Sequence, residues 1–237
     1  MHTHRPPSGT PLLELTNVSR WYGTGQARFH ALRDVSMTVA TGESVAVVGR
    51  SGSGKSTLMH VAALLDTPDE GVLRVDGQDA ARLSTRQVGE LRNRRFGFVF
   101  QQFFLDPSST VLQNVVLPLT IAGVPAAERR RRGMAVLEQF DLADKAGNRA
   151  TALSGGQKQR AVLCRALVSG PDVIFADEPT GNLDTTTGAV VEDELFSLVR
   201  DRGITLVVVT HDPALAERCD RQVHVRDGSV VTERVAA

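Results

Sequence analysis

Gly49-Arg50-Ser51-Gly52-Ser53-Gly54-Lys55-Ser56-Thr57 fits the pattern G-x-x-x-x-G-K-[ST], and its reading decides the fold of this chain. Before it lies an apolar run, Val45, Ala46, Val47 and Val48; after it Leu58, Val61, Ala62 and Leu65 recur at helical spacing. The setting is strand, loop, helix. Glycines at 49, 52 and 54 let the backbone curl with its N–H groups inward, and side chains there would fill the space a polyphosphate needs. The loop opens onto a helix N-terminus, whose unpaired N–H groups and partial positive charge favour an anion. Lys55 is placed to reach the outer phosphates, the Ser56 hydroxyl to hold Mg²⁺, and Thr57 to add a phosphate contact.

Bulk properties narrow the class. A chain of 237 residues with 41% apolar residues suits one large domain or two lobes sharing a core. Lys+Arg and Asp+Glu both number 27, so no global attraction to nucleic acid is expected. The one dense basic run, Arg129–Arg132, reads as the solvated face of a helix, with a binding patch as the alternative. Cys164 and Cys219 are too few and too isolated for a disulfide framework or a zinc site, which implies a reducing compartment. Residues 1–11 lack the apolar core of a signal peptide and read as a loose tail, as do residues 233–237 at the other end. No apolar stretch approaches the roughly 20 residues of a membrane span, so membrane work would fall to a partner.

Along the chain, Leu12–Val18 reads as a strand running into Arg20-Trp21-Tyr22-Gly23. Neighbours in an extended segment face opposite sides, so at most one of Trp21 and Tyr22 can offer its ring to a nucleobase; packing under a loop is the alternative for either. Ala31–Ala40 reads as a second strand, Val72–Val75 as a third closed by an Asp76-Gly77 turn, and Phe96–Phe100 as a buried one ending at Gln101. An amide there can meet a metal or its water, or simply end the strand.

From Thr110 to Leu153 the pattern is helical, including an amphipathic Ala126–Phe140 with Met134, Leu137 and Phe140 inward and weakened by Gly133. The block reads as a helical insertion, about residues 102–160, in an α/β core. It ends in Leu153-Ser154-Gly155-Gly156-Gln157, where Ser154 can cap the next helix or turn its hydroxyl to a ligand, and the glycines bare backbone N–H groups at a positive helix end. That makes a second anion cradle.

Val173–Ala176 then delivers Asp177-Glu178 to the carboxyl edge of a sheet, where α/β folds bind ligands. Two adjacent carboxylates can divide the work, Asp177 toward Mg²⁺ and Glu178 toward an attacking water. The loop Pro179–Asp184 leads to a helix with Val191, Leu195 and Leu198 on one face, stopping before Gly203. Leu206–Val209 stops at Thr210-His211, on the same edge as Asp177-Glu178, and Val223–Val231 closes as a hairpin around Asp227-Gly228.

Together these residues resemble the ATP-binding cassette (ABC) ATPases from about Leu12 to Val231. The resemblance implies an α/β fold: a P-loop NTPase core with a mainly parallel central sheet, an N-terminal antiparallel β subdomain and an inserted α-helical subdomain, one domain over residues 12–232. It implies ATP and Mg²⁺ as cofactors, with Tyr22, Gly49, Ser51, Gly52, Ser53, Gly54, Lys55, Ser56 and Thr57 binding the nucleotide. Ser154, Gly155, Gly156 and Gln157 would cap ATP held by a second copy, with Asp184 closing the dimer loop. Ser56, Gln101 and Asp177 would hold the metal; Lys55, Gln101, Glu178 and the switch histidine His211 would serve catalysis.

The implied protein is an ATP-hydrolysing subunit that forms a homodimer on ATP binding and drives an integral membrane permease. It would sit in the cytoplasm, peripheral on the inner face of the cell membrane, with no nucleic-acid partner. Thr180–Asp184, Asn114–Leu119 and Ala122-Gly123-Val124 resemble the macrolide-exporter and lipoprotein-releasing group, and cell-division and peptide-resistance relatives share much of the pattern. The chain departs from that group at Asp106 and Ser109, where apolar residues are usual, and at Ala150, where proline often stands. The competing reading is a soluble mechanical ATPase acting on a non-membrane partner such as an iron–sulfur scaffold. A degenerate cassette that binds without turnover is opposed by Glu178 and His211.

Overall fold

A computed structural model of the chain describes residues 9–235. Six strands form the central sheet in the order β10-β9-β3-β8-β7-β6, namely β10 (Ser229–Val235), β9 (Arg221–Arg226), β3 (Ser44–Val48), β8 (Thr205–Thr210), β7 (Val173–Asp177) and β6 (Phe96–Phe100). All neighbours in it run parallel except the β9–β10 hairpin. An antiparallel sheet of β1 (Leu13–Tyr22), β2 (Phe29–Val39), β4 (Glu70–Val75) and β5 (Gln78–Asp79) covers one face, in the order β2-β1-β4-β5. The expected layering is present.

The central strands are apolar throughout because both faces are covered. Ile174, Ala176, Leu206 and Val208 belong to the core on the helical side, while Val173, Phe175, Val207 and Val209 belong to the core under the antiparallel sheet. The period of two thus sends alternate residues into different interiors.

Between β6 and β7 lie α3 (Val111–Val115), α4 (Leu117–Ile121), α5 (Ala126–Gln139) and α6 (Gly155–Leu167). Leu137 and Phe140 are buried and Met134 packs against the same core. Gly133 has a packing reason: a Cβ there would stand 2.4 Å from Val116 Cγ1 and 2.6 Å from Leu112 Cδ1. The close approach of α5 to α3 and α4 offsets the roughly 1 kcal/mol of helix propensity that glycine forfeits. In the Arg129–Arg132 run, Arg131 and Arg132 pair with Glu128 on the exposed face.

Three boundaries differ from the sequence reading. β2 begins at Phe29, because pairing of Tyr22 with Phe29 and Trp21 with His30 extends it. A helix, α2 (Thr85–Arg95), precedes β6; it buries none of its residues and starts at a reciprocal capping box between Ser84 and Gln87. β10 runs through Val235, so residues 233–235, read as tail, pair with β9 through Glu233–Val223 and Val235–Arg221. Residues 1–8 and 236–237 of the two expected tails lie outside the described residues. The remaining helices are α1 (Lys55–Ala62), α7 (Thr185–Arg202) and α8 (Pro213–Glu217). No helix among the described residues is long and apolar enough to cross a membrane. Cys164 and Cys219 are buried free thiols, and burial pushes the latter up to about 12.

Candidate functional site

The phosphate loop is wedged between β2 and the β9–β10 hairpin, and its glycines are placed by that wedge. A Cβ on Gly49 would lie 2.2 Å from the Val225 carbonyl oxygen, and one on Gly54, at φ +106°, 2.6 Å from that of Ala31. Gly228 N–H donates to the Ser53 carbonyl at 2.9 Å, tying the loop to the hairpin turn. Gly52 faces open space instead. Lys55, only 9% exposed, donates from Nζ to the Arg50 carbonyl at 2.9 Å, while Ser53 Oγ is buried with no partner. A buried, unpaired hydroxyl is costly unless something else occupies the site, and a phosphate oxygen is one group that would supply the missing bond.

The loop lines a cleft of about 780 Å³ together with Ser56, Thr57, Gln101, Asp177, Glu178, His211 and Phe29. Strand register explains the grouping. Phe100 is level with Asp177, and Asp177 with Val209, so Gln101, Glu178 and His211 all emerge at one sheet edge. Glu178 has a left-handed φ of +46° and donates its N–H to the Val209 carbonyl at 2.9 Å. Such a conformation costs about 1–3 kcal/mol for a residue with a Cβ. It turns the Glu178 carboxylate back toward His211, whose Nδ1–H donates to Oε1 at 2.8 Å.

Asp177 is held differently. Burial and the adjacent Glu178 charge push its carboxyl up, while His60, a hydrogen bond from Ser56 and the Lys55 charge act the other way. A half-buried carboxylate beside a hydroxyl, both with oxygen donor atoms, suits a small hard cation that keeps other positions for phosphate oxygens and water. Among the described residues no three His, Cys, Asp or Glu side chains converge as a self-sufficient metal cage. The donor set fits Mg²⁺ bound jointly with a nucleotide.

Ser154–Gln157 does not line this cleft. Ser154 caps α6: its Oγ accepts from Gln157 N–H at 3.3 Å, and Gln157 Oε1 accepts from Ser154 N–H at 3.0 Å. Of the two options open from sequence, the structure shows the cap. Gly155 and Gly156 pack beside the start of α7, where Asp184 accepts from Thr187 N–H and from Thr187 Oγ1 at 2.7 Å. The loop before Asp184 rests on Gln101: Asn182 Nδ2 donates to the Gln101 carbonyl at 2.8 Å.

Trp21 and Tyr22 part company. Trp21 stacks on His30 at 4.3 Å and carries the Arg28 guanidinium over its ring at 4.8 Å. Tyr22 lies under Arg20, donates its hydroxyl to Asp66 at 2.6 Å, reaches Thr57, and stacks against Phe29 at 6.4 Å. Sequence reasoning missed Phe29, which it left in a glycine-containing loop. It also missed Gln159, 1% exposed, whose amide donates to the Pro179 carbonyl and so joins α6 to the 179–184 loop. A polar residue inside the helical pattern of α6 gave no sign of burial.

Residues 32–181 match the family model described as ABC transporter. An uncharacterized ABC transporter ATP-binding protein of Thermotoga maritima is 46% identical over 219 residues, covering 92% of this chain and 93% of its own length. The macrolide export ATP-binding/permease protein MacB of Neisseria meningitidis is 42% identical over 222 residues, 94% of this chain. This chain spans about a third of the length of that relative, 34%. Among solved structures, the ATP-binding cassette MJ0796, as a dimer in a post-hydrolysis state bound to ADP and Pi, superposes with a TM-score of 0.87 at 38% identity, covering 95% of this chain and 99% of that one. CbiO1 from Clostridium perfringens, part of a cbiONQ transporter complex, gives 0.84 at 28%, over 96% and 89%. With a sheet edge that gathers a phosphate loop and two acidic residues, and with this identity over nearly its whole length, the chain belongs to the ABC transporter family as an ATP-binding cassette.

Proposed function

We propose that the chain hydrolyses ATP as the nucleotide-binding subunit of an ABC transporter, closing head to tail with a second copy to drive a membrane permease from the cytoplasmic face. The observation that carries this reading is the division of labour between two anion cradles. The Gly49–Thr57 loop shares its cleft with Asp177, Glu178 and His211, whereas Ser154–Gln157 lies off that cleft. One chain thus builds one side of a phosphate site and, elsewhere, the cap for another; a two-fold pair of such surfaces closes on itself.

Phosphoryl transfer asks mainly for placement and charge compensation. Lys55 exchanges the Arg50 carbonyl for phosphate oxygens, and Ser53 Oγ gains its partner. Ser56 and Asp177, with Gln101 at the edge, would hold Mg²⁺, which supplies Lewis-acid neutralisation of developing phosphate charge. Glu178, oriented through His211, takes the proton of the attacking water. Tyr22 stands at the base end, and the partner copy brings its Ser154–Gln157 cradle and its Asp184 loop over the outer phosphates. ATP favours the closed pair because only that state contacts it from both sides, and hydrolysis removes the preference.

An exposed apolar surface supports a membrane-protein partner. Phe104, Leu117 and Ile121 are 64%, 47% and 69% exposed, and Ile121 borders a cleft of about 700 Å³ between α2, β6 and α4. Asp106, one of the departures from the group pattern, is turned inward on its own loop, accepting from Ser108 and Ser109, and leaves Phe104 presented. The test is Glu178→Gln. Turnover is expected to fall about 10²- to 10⁴-fold, and light scattering in MgATP to show a stable dimer. A variant that stays monomeric at saturating ATP refutes the shared site.

A further inference from the structure

Glu178 keeps a left-handed backbone, φ +46°, immediately before Pro179, although the residue before a proline is driven toward extended conformations. A residue with a Cβ persists in such a conformation only where its surroundings fix it. On the near side the Glu178 N–H donates to the Val209 carbonyl at 2.9 Å, and the carboxylate meets His211 at 2.8 Å. On the far side the Glu178 carbonyl accepts from Gly181 N–H at 3.1 Å, a bond internal to the turn. Pro179 is buried and has no N–H, so its carbonyl is its one backbone hydrogen-bonding group. That carbonyl accepts from the amide of Gln159, which is 1% exposed and sits on α6 just past the Ser154–Gln157 cap. Other ties of this loop, Thr180 to Glu192 at 3.4 Å and Asn182 to Gln101 at 2.8 Å, lie farther along the chain. Because the proline ring locks φ, only one soft torsion separates the carbonyl that Gln159 holds from the Glu178–Pro179 peptide. Gln159 does not line the phosphate-loop cleft, so its hold reaches Glu178 through the backbone.

We propose that Gln159 is a positioning residue for hydrolysis: its amide, through Pro179, holds the Glu178 backbone in the conformation that aims the carboxylate at the attacking water. The inference rests on the reading of Glu178 as the group that takes the water's proton, and adds what keeps that group in place. Without the amide, Glu178 relaxes toward the extended region and its carboxylate leaves its line. The phosphate loop is anchored elsewhere, to β2 and the β9–β10 hairpin, and keeps its grip on the nucleotide.

The test is steady-state ATPase kinetics of Gln159→Met, which keeps the length and removes the donor, alone and in a Glu178→Gln background. For the single variant kcat is expected to fall about 10- to 100-fold, the scale of a misplaced catalytic group, with KM for ATP within about 2-fold of wild type. In the Glu178→Gln background the same change should cost less than about 2-fold more, because the carboxylate it aims is already gone. That double variant should still form the MgATP dimer in light scattering, since Ser154 and Gln157 cap α6 without Gln159. Gln159→Glu gives a second reading. Burial raises the new carboxyl, and only its neutral form donates to Pro179, so kcat relative to wild type should stay near one or recover as pH falls. Wild-type kcat in Gln159→Met, equal losses in both backgrounds, or loss of the double variant's dimer overturns the proposal. So does a Gln159→Glu kcat depressed equally at every pH. A Glu178→Gln protein that turns over like wild type would instead strike the reading of Glu178 as the base.

Discussion

Gly156→Ala tests how the second anion cradle is built. A Cβ at Gly156 would stand 2.5 Å from Thr187 Cγ2, well inside contact distance. Thr187 cannot swing away freely, because its Oγ1 donates to Asp184 at 2.7 Å and its N–H to the same carboxylate at 3.1 Å. Withdrawing the methyl group by a χ1 rotation breaks the hydroxyl bond, worth about 0.5–1.5 kcal/mol. Keeping it leaves an overpacked junction, at about 1–3 kcal/mol. Alanine's better helix propensity returns up to about 1 kcal/mol. The net loss is about 0.5–1.5 kcal/mol, a fall in Tm of about 1–6 °C for a chain of this size. Thr187→Ser deletes only Cγ2 and keeps the hydroxyl, so the double variant should recover most of the loss in urea and thermal melts. ATPase activity should fall with Gly156→Ala and return with the second change, since the methyl points at Thr187 within the same chain. A Gly156→Ala protein that melts with wild type, or a double variant no more stable than the single, refutes the packing argument. Stability restored without activity would place the methyl's effect on the nucleotide instead.

Two further outcomes follow from buried contacts. Glu194 on α7 has Oε2 buried without a partner, and burial raises its carboxyl from 4.5 to about 7, against the Arg160 charge and with Asp141 adding to the rise. The native state therefore binds more protons than the unfolded chain between those values, so this group's contribution falls as pH rises from about 5 to 7. Glu194→Gln should melt above wild type at pH 8 and converge with it near pH 5; equal melting curves at pH 8 contradict the assignment. In β6, a Cβ on Gly97 would lie 2.7 Å from the Ala166 carbonyl oxygen, which is backbone and cannot turn aside. Gly97→Ala should cost about 1–3 kcal/mol, read as a lower urea midpoint at unchanged slope; an unmoved midpoint would show that β6 and α6 separate freely.

What was legible in the chain is what local pattern controls. β6, β7 and β8 could be read because strands buried on both faces are unbroken apolar runs, and the edge where the runs end carries the cleft residues Gln101, Asp177 and His211. The phosphate loop and the Ser154–Gln157 cap were legible because both are local backbone devices with fixed residue needs. α2 was not, since a helix with no buried residue has no apolar stripe; its Ser84 and Gln87 capping box was the only signal. The start of β2 and the end of β10 were hidden for a different reason. Phe29 and Glu233 are strand residues only because Tyr22 and Val223 lie beside them, and pairing across many residues leaves no trace in a short window. Gln159 shows the same limit in a helix: burial of its amide is a property of the meeting of α6 with Pro179, not of its neighbours in sequence.

The contacts also divide the site into two beds. The phosphate loop is anchored to β2 and the β9–β10 hairpin through Ala31, Val225 and Gly228. Ser154–Gln157 is anchored on the other side: Gly156 abuts Thr187, Gln159 holds Pro179, and Asn182 and Gly181 rest on Gln101. Glu178 stands where the beds meet, its backbone bonded to Val209 of the central sheet and its carboxylate to His211, two residues beyond Val209. Gln101 therefore touches the Asp184 loop directly, through Asn182 and Gly181, while Lys55 belongs to the other bed. Glu178 is held by the sheet and by His211, while the 179–184 loop that follows it is held by Gln101, by Gln159 and by the Gly181 N–H donated to the Glu178 carbonyl at 3.1 Å. The left-handed backbone at Glu178 is the strained point of that junction.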